Sequence, residues 1–416
     1  MELSKKLGLF LGPIAFLILV NLPVELVSEK GDAVISVAVW MLIWWITEAV
    51  SISVTALLPL LLLPILKILP IAEVGANYGS PIVFLFFGGF VMALALEKVN
   101  LHRRIALNII KLTGTTPNKV ILGFMIATGS LSMWISNTAS TVVMLPIALS
   151  VINLLINDED GFTKNDQNFA LSVMLGIAFS ANAGGIATVI GTPPNSVLIG
   201  LLENEYNTEI SFLKWMTIGL PFSIVMISIC YLVLVKWMYP NRDLKFNASK
   251  EVIQSELEKL GPTSGKEKLV LAIFGVTVFL WIFRTLINSI FPDLGLTDTM
   301  ISIFAALALF SVPYSLKRGD FIIGWKDTSK LAWGILILFG GGLALGLDIP
   351  ILYLLIPVTI ASSCAFMLPM ATPPNAIVFA SGHVKIAQMA RVGIILNLIA
   401  VVLLILVFQF VIPVLF

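Results

Sequence analysis

Gly191-Thr192-Pro193-Pro194-Asn195 and Ala371-Thr372-Pro373-Pro374-Asn375 repeat one five-residue pattern, and each lies inside an uncharged apolar run, 167–202 and 349–382, that is too long for one membrane helix. A helix needs about 20 residues to cross about 30 Å of hydrocarbon. Paired prolines remove two backbone donors and break a helix, so each run is read as a helix interrupted within the membrane. Such a break frees carbonyls on one side and amides on the other, placing a cation site beside an anion site. A simple proline kink accounts for one such motif but poorly for two in corresponding places.

The rest of the chain fits that setting. Of its 416 residues 58% are hydrophobic and only 12% charged, against about 25% charged in soluble proteins. Twelve stretches of 15 or more residues carry no Asp, Glu, Lys or Arg, the mark of an all-α polytopic membrane protein. The first, 7–24, is read as a span rather than a signal peptide, because no small-residue cleavage pattern follows it. A net charge of +1 gives no field for nucleic acid. The two cysteines, Cys230 and Cys364, sit in apolar runs and make no disulfide framework.

A third run, 120–157, holds 38 residues, about 57 Å as one helix, so it must fold back. Read as a re-entrant hairpin, it leaves eleven crossings. With the N-terminus inside, 21 basic residues then lie on the cytoplasmic side and four, Lys30, Lys67, Lys214 and Arg284, outside, as the positive-inside rule requires. A single crossing at 120–157 would lose that bias. The C-terminus is placed outside.

Residues 242–268 form the one extended polar linker and divide the chain into a repeat at 31–241, preceded by a first span within 1–30, and a second at 269–416. Phe87-Gly88-Gly89 matches Phe339-Gly340-Gly341, and the two TPPN loops match. Their spans run in opposite directions, the inverted-repeat pattern of secondary transporters. Gly88 to Thr192 is 104 residues but Gly340 to Thr372 only 32, so the second half is short by 72.

Ser136-Asn137-Thr138 concentrates polar oxygens inside the hairpin run. Irregular backbone at membrane depth is tolerated where it lines a cavity, and hydroxyl and carbonyl oxygens suit a hard cation such as sodium. The bland alternative is helix–helix glue. No Lys or Arg lies in the over-long runs, so an anion there would be neutralised by bound cations, hydroxyls and helix N-termini. Glu48 reads as a boundary residue. His102 and His383, the only histidines, read as surface groups rather than metal ligands. The paired glycines read as close packing, not a phosphate cradle.

Together, Trp44-Trp45-Ile46-Thr47-Glu48-Ala49, His102-Arg103-Arg104-Ile105-Ala106-Leu107, Ser136-Asn137-Thr138, both TPPN loops and Cys364-Ala365-Phe366-Met367-Leu368-Pro369 resemble the divalent anion/sodium symporter family of di- and tricarboxylate transporters over nearly the whole chain. The resemblance implies an inverted-repeat, elevator-type fold of about eleven spans, a homodimer in the lipid bilayer, and sodium as coupling ion without a further cofactor. It implies no enzyme activity. By motif, Ser132, Ser136, Asn137 and Gly191 would form a first sodium site. Asn137, Thr138, Thr192, Pro193, Thr372 and Pro373 would face the dicarboxylate. The family's second Ser-Asn-Thr hairpin has no counterpart here, and the missing 72 residues fall near 346–348. Of a second sodium site only Ala371 remains. The expected function is sodium-coupled symport of C4-dicarboxylates (succinate, malate, fumarate) across the cell membrane. A dicarboxylate exchanger and a non-transporting truncated family member stay open as alternatives.

Overall fold

The computed structural model of the chain describes residues 3–22, 28–114, 116–156, 163–206, 208–240, 249–315, 320–345 and 352–411. The gap expected near 346–348 and the start of the polar linker lie outside them.

Nineteen α-helices build the described part of the protein. α1 (Leu3–Val20) and α2 (Glu29–Thr47) are antiparallel, with Lys5 at the start of one 3.1 Å from Glu48 at the end of the other. The run 49–66, expected as one span, is two short helices, α3 (Ile52–Thr55) and α4 (Leu58–Ile65). Pro59 has no N–H to continue the first helical ladder and restarts the chain at the head of the second. α5 (Ile71–Tyr78) and α6 (Pro81–Lys98) follow, then the basic amphipathic α7 (Leu101–Thr113). The long third run reverses through 133–136 between α8 (Pro117–Ser132) and α9 (Asn137–Ile156).

α10 (Lys164–Gly185) and α11 (Pro193–Tyr206) are the two pieces of the first broken helix. α12 (Phe212–Leu232), α13 (Ser249–Lys259), α14 (Gly265–Ile290) and α15 (Asp298–Ser311) come next, then a small antiparallel ribbon of β1 (Pro313–Ser315) and β2 (Asp320–Phe321). α16 (Trp333–Ala344), α17 (Leu352–Ser363), α18 (Pro373–Ala380) and α19 (Ile386–Leu406) complete the chain, α17 and α18 being the second broken helix. Six helical stretches are long and apolar enough to cross a membrane. The other five runs outside the hairpin form shorter or interrupted helices.

The surface is apolar, with Leu3, Phe10, Leu398 and Phe410 all exposed, as a lipid-facing surface requires. α10 is its opposite, buried on every side from Phe169 to Gly185, and α8, α9, α12 and α18 pack around it. A helix with no exposed face is the core of the bundle.

Paired glycines allow close approach, and the packing is reciprocal. A Cβ on Gly88 would fall on the backbone of Ser302 in α15, and one on Gly341 would fall on the backbone carbonyl of Ala56. Each half therefore seats a glycine of its pair against an element of the other half.

Every ion pair among the described residues joins two groups that the charge count assigns to the same side. Arg103 pairs with Glu256, Arg104 with Glu267 at 2.5 Å, and Lys98 with Asp327 at 2.6 Å. Arg284 pairs with Glu209 at 2.8 Å and with Asp298 at 3.4 Å. Hydrogen bonding from Lys259, aided by Arg103, holds the Glu256 carboxyl below its ordinary range, and Lys98 does the same for Asp327. His102 departs from expectation. It is buried, with Nδ1 2.9 Å from the Leu96 carbonyl, because it lies on the inner stripe of α7, over the end of α6.

Candidate functional site

Both broken helices are held open by the asparagine that closes the TPPN pattern. Seven residues, 186–192, separate α10 from α11, and their carbonyls have lost the helical donors. Asn195, fully buried, turns its Nδ2 back onto the carbonyls of Gly185 (3.1 Å), Ile186 (3.3 Å) and Thr188 (2.8 Å). Trp215 donates to Ile186 as well, and Ser196 to Val189. In the second break Asn375, also fully buried, donates to Ala365 (2.9 Å) and Leu368 (3.1 Å). The acceptors at ten and seven residues upstream are the same in both loops. Neither asparagine was singled out from the sequence, although its place in a repeated motif was the available signal.

Removing such a latch strands several buried carbonyls, each costing about 1–3 kcal/mol. Asn195→Ala is therefore expected to destabilise the protein by about 3 kcal/mol, read as a lowered thermal midpoint in detergent. Asn195→Asp, of equal size but without the amide protons, should behave alike.

The hairpin tip sits against the first break. Ser132, buried at the end of α8, lies 2.5 Å from Asn137 Oδ1 and 2.8 Å from the Ala181 carbonyl, and its one proton serves one of them at a time. Asn137 opens α9 and rests on Gly185, whose missing side chain leaves room for its amide. Gly191 packs in the same way on the Gly185 backbone. Thr188 donates its hydroxyl proton to the Met133 carbonyl in the hairpin turn. Ser132, Asn137 and Gly191 are thus gathered around Gly185. Ser136 and Thr138 are exposed at the tip, and Ser136 Oγ accepts from the Ala139 amide. This brings neutral oxygens together without a charged residue, chemistry suited to a weakly held monovalent cation.

The anion-facing candidates lie at helix starts. Pro193 opens α11, with Thr192 buried beside it. Pro373 opens α18, and Thr372 caps it by accepting from the Asn375 amide at 3.5 Å. Helix N-termini favour carboxylates. Asn182, one turn before Gly185 on α10, donates to Thr372 Oγ1 at 3.0 Å and to Asn375 Oδ1 at 3.2 Å. The last turn of α10 therefore touches both loops.

The two loops differ in cover. Ile190 is 6% exposed, whereas Met370, 180 positions on, is 83% exposed. Gly191 is buried and Ala371 exposed. The hairpin lies over the first loop, and among the described residues no second hairpin lies over the other.

A separate cavity of about 610 Å³ is lined by residues that include Glu203, Glu209, Arg284 and Asp298. It contains none of the candidate residues, and its arginine is already committed to Glu209 and Asp298, so it offers no free clamp for a carboxylate.

Among known proteins, the family described as sodium:sulfate symporter, transmembrane region, matches residues 3–348 and 343–416. The chain is 36% identical to the sodium-dependent dicarboxylate transporter SdcS of Staphylococcus saprophyticus over 479 aligned positions, covering 99% of this chain and 92% of that relative. It is 37% identical to SdcS of Staphylococcus aureus strain USA300 over 478 positions, with the same coverage. An alignment of 479 positions against 416 residues leaves at least 63 positions facing no residue of this chain.

Proposed function

Because the chain belongs to the sodium:sulfate symporter family, we propose that it couples sodium entry to the import of C4-dicarboxylates of the succinate, malate and fumarate class across the cell membrane. It is a multi-pass transport protein and not an enzyme. The observation that carries the reading is the meeting of the hairpin tip, the first break and the second break on the last turn of α10.

In this reading Ser132, Ser136, Asn137 and Gly191 hold sodium through neutral oxygens. Asn137, Thr138, Thr192, Pro193, Thr372 and Pro373 bind the dicarboxylate between two helix starts. No lysine or arginine lies among these residues, so the anion's charge is balanced by the cation and the helix ends. Anion binding is then conditional on sodium, which is what coupling requires. Ala371 is the remnant of a second sodium site. The same-side pairing of the ion pairs among the described residues supports the number of crossings, and the bias of basic residues then favours the N-terminus inside and the C-terminus outside. The reciprocal glycine packing supports two repeats that pack on each other, divided at 242–268; their inversion rests on the charge count, and their work as a homodimer with an elevator motion rests on the family resemblance.

A second reading, a truncated family member that does not transport, is favoured by the exposed second loop and the 63 unmatched positions. Proteoliposomes carrying the purified chain separate the readings. Saturable uptake of labelled succinate that stops when potassium replaces sodium is expected. Uptake that needs internal dicarboxylate and ignores sodium would mean exchange. Absence of both uptake and sodium-dependent succinate binding would sink the transport reading.

A further inference from the structure

We propose that Asn182, a residue outside every candidate ligand set, is the positioning residue that fixes the second TPPN loop and sets the polarity of the Thr372 hydroxyl toward the substrate; this rests on the dicarboxylate reading above. Asn182 is 1% exposed. Its amide orientation follows from proton inventory. Asn375 commits its Nδ2 to the carbonyls of Ala365 and Leu368, so the atom it turns toward α10 is Oδ1, which only accepts. Asn182 must therefore present its own Nδ2, and the same nitrogen reaches Thr372 Oγ1 at 3.0 Å.

The consequence falls on Thr372. A threonine hydroxyl has two acceptor positions and one proton. The Asn182 amide takes one acceptor position, and the Asn375 backbone amide at 3.5 Å takes the other. What remains is the O–H as donor, the polarity that a carboxylate needs and that a hydroxyl free to rotate supplies only part of the time.

Three further observations make the contact more than packing. Asn182 Oδ1 is left buried with no partner, a cost in stability that a smaller residue would avoid if the amide protons were not used. Among the described residues, no other side chain outside the loop hydrogen-bonds to Thr372 or Asn375. The brace is also one-sided. The position 180 residues on is Ser362, which is exposed and bonds back to the Thr359 carbonyl, while Asn195 Oδ1 is buried without a partner. The first loop has the hairpin over it. The second, with Met370 exposed, depends on Asn182.

The test uses Asn182→Ala and the isosteric Asn182→Asp, which keeps the volume and loses both amide protons. Each is expected to raise the KM for succinate at least tenfold with maximal rate within twofold. Stabilisation by sodium without succinate should stay unchanged. In a Thr372→Val background, Asn182→Ala should add less than a twofold effect. Amide hydrogen exchange of 364–376 should quicken in both single variants. Equal loss of rate and sodium stabilisation, or unchanged KM and exchange, would overturn the proposal. If the parent chain takes up and binds no succinate, the transport reading fails by itself. Exchange then decides alone, faster exchange supporting the brace and unchanged exchange refuting it.

Discussion

Gly185→Ala is expected to weaken sodium-dependent succinate binding at least a hundredfold. A Cβ at that position falls on the side-chain amide of Asn137, whose Oδ1 is 2.5 Å from Ser132 Oγ. The backbone of Asn137 cannot retreat easily, because its carbonyl accepts from the hydroxyls of Ser140 (3.0 Å) and Thr141 (2.8 Å) in the first turn of α9. The side chain must swing away and leave Ser132. Two oxygens of the proposed sodium set are then lost. Hydrogen bonds and ligand contacts to charged groups contribute about 1.5–3 kcal/mol each, and about 1.4 kcal/mol is tenfold in affinity. A hundredfold loss is the lower end of that range. The fold itself should lose about 1–3 kcal/mol from overpacking, so binding is measured on protein shown to retain its sodium-free thermal transition. Gly275→Ala is the control. A Cβ there meets nothing within 4 Å in α14, and helix propensity predicts a neutral or slightly stabilising change. Unchanged sodium-dependent binding in Gly185→Ala would remove Asn137 and Ser132 from the sodium site.

What the sequence made legible is what membrane physics forces. Paired prolines in an over-long apolar run must interrupt a helix, and α10/α11 and α17/α18 are interrupted just before them, each second piece starting at its prolines. An uncharged run of about 57 Å must turn, and it turns at 133–136. Small residues must mark close approach, and Gly88 and Gly341 do. What stayed hidden depends on the path of irregular backbone. The latching by Asn195 and Asn375 needs carbonyls seven and ten residues upstream to converge on one amide, and no periodicity encodes that convergence. Asn182, in Ser180-Ala181-Asn182-Ala183-Gly184-Gly185, reads as one polar residue in a small-residue packing stripe until the second loop is seen against it. His102 read as a surface group because a basic segment looked uniformly solvated, whereas α7 is amphipathic and turns its histidine inward. The 49–66 run contains enough apolar residues for a span, and Pro59 divides it.

The largest effect is expected from lengthening the chain. Inserting between Leu345 and Leu352, where the repeat comparison puts the 72-residue deficit, a relatives' segment bearing the second Ser-Asn-Thr hairpin that the resemblance implies should tighten succinate binding at least a hundredfold and raise uptake correspondingly. The first half shows what such a segment does. Thr188 is fully buried and bonded to the Met133 carbonyl of the hairpin turn, and the Gly184 backbone lies against Gly129. The positions 180 residues on are Leu368, 43% exposed, and Cys364, and no hairpin among the described residues meets them. A carboxylate bound at Thr372 and Pro373 would therefore lack the counterparts of the donors proposed for Asn137 and Thr138 at the other end. Two hydrogen bonds to a charged group are together about 3–6 kcal/mol, or about 10²–10⁴ in affinity. The insertion should also close the second loop. A thiol introduced by Met370→Cys, with Cys230 and Cys364 replaced by alanine, should react quickly with a maleimide in the present chain and at least tenfold more slowly in the lengthened one. A glycine-serine insert of equal length should change neither reading, since it restores the chain length without a Ser-Asn-Thr tip. If the relatives' segment slows labelling but leaves succinate binding as weak as before, the second loop is covered without completing a site, and the dicarboxylate contacts assigned to Thr372 and Pro373 are wrong. If binding is already tight in the unaltered chain and the insert adds nothing, one hairpin and the Asn182 brace suffice, and the deficit of the second half is a tolerated loss.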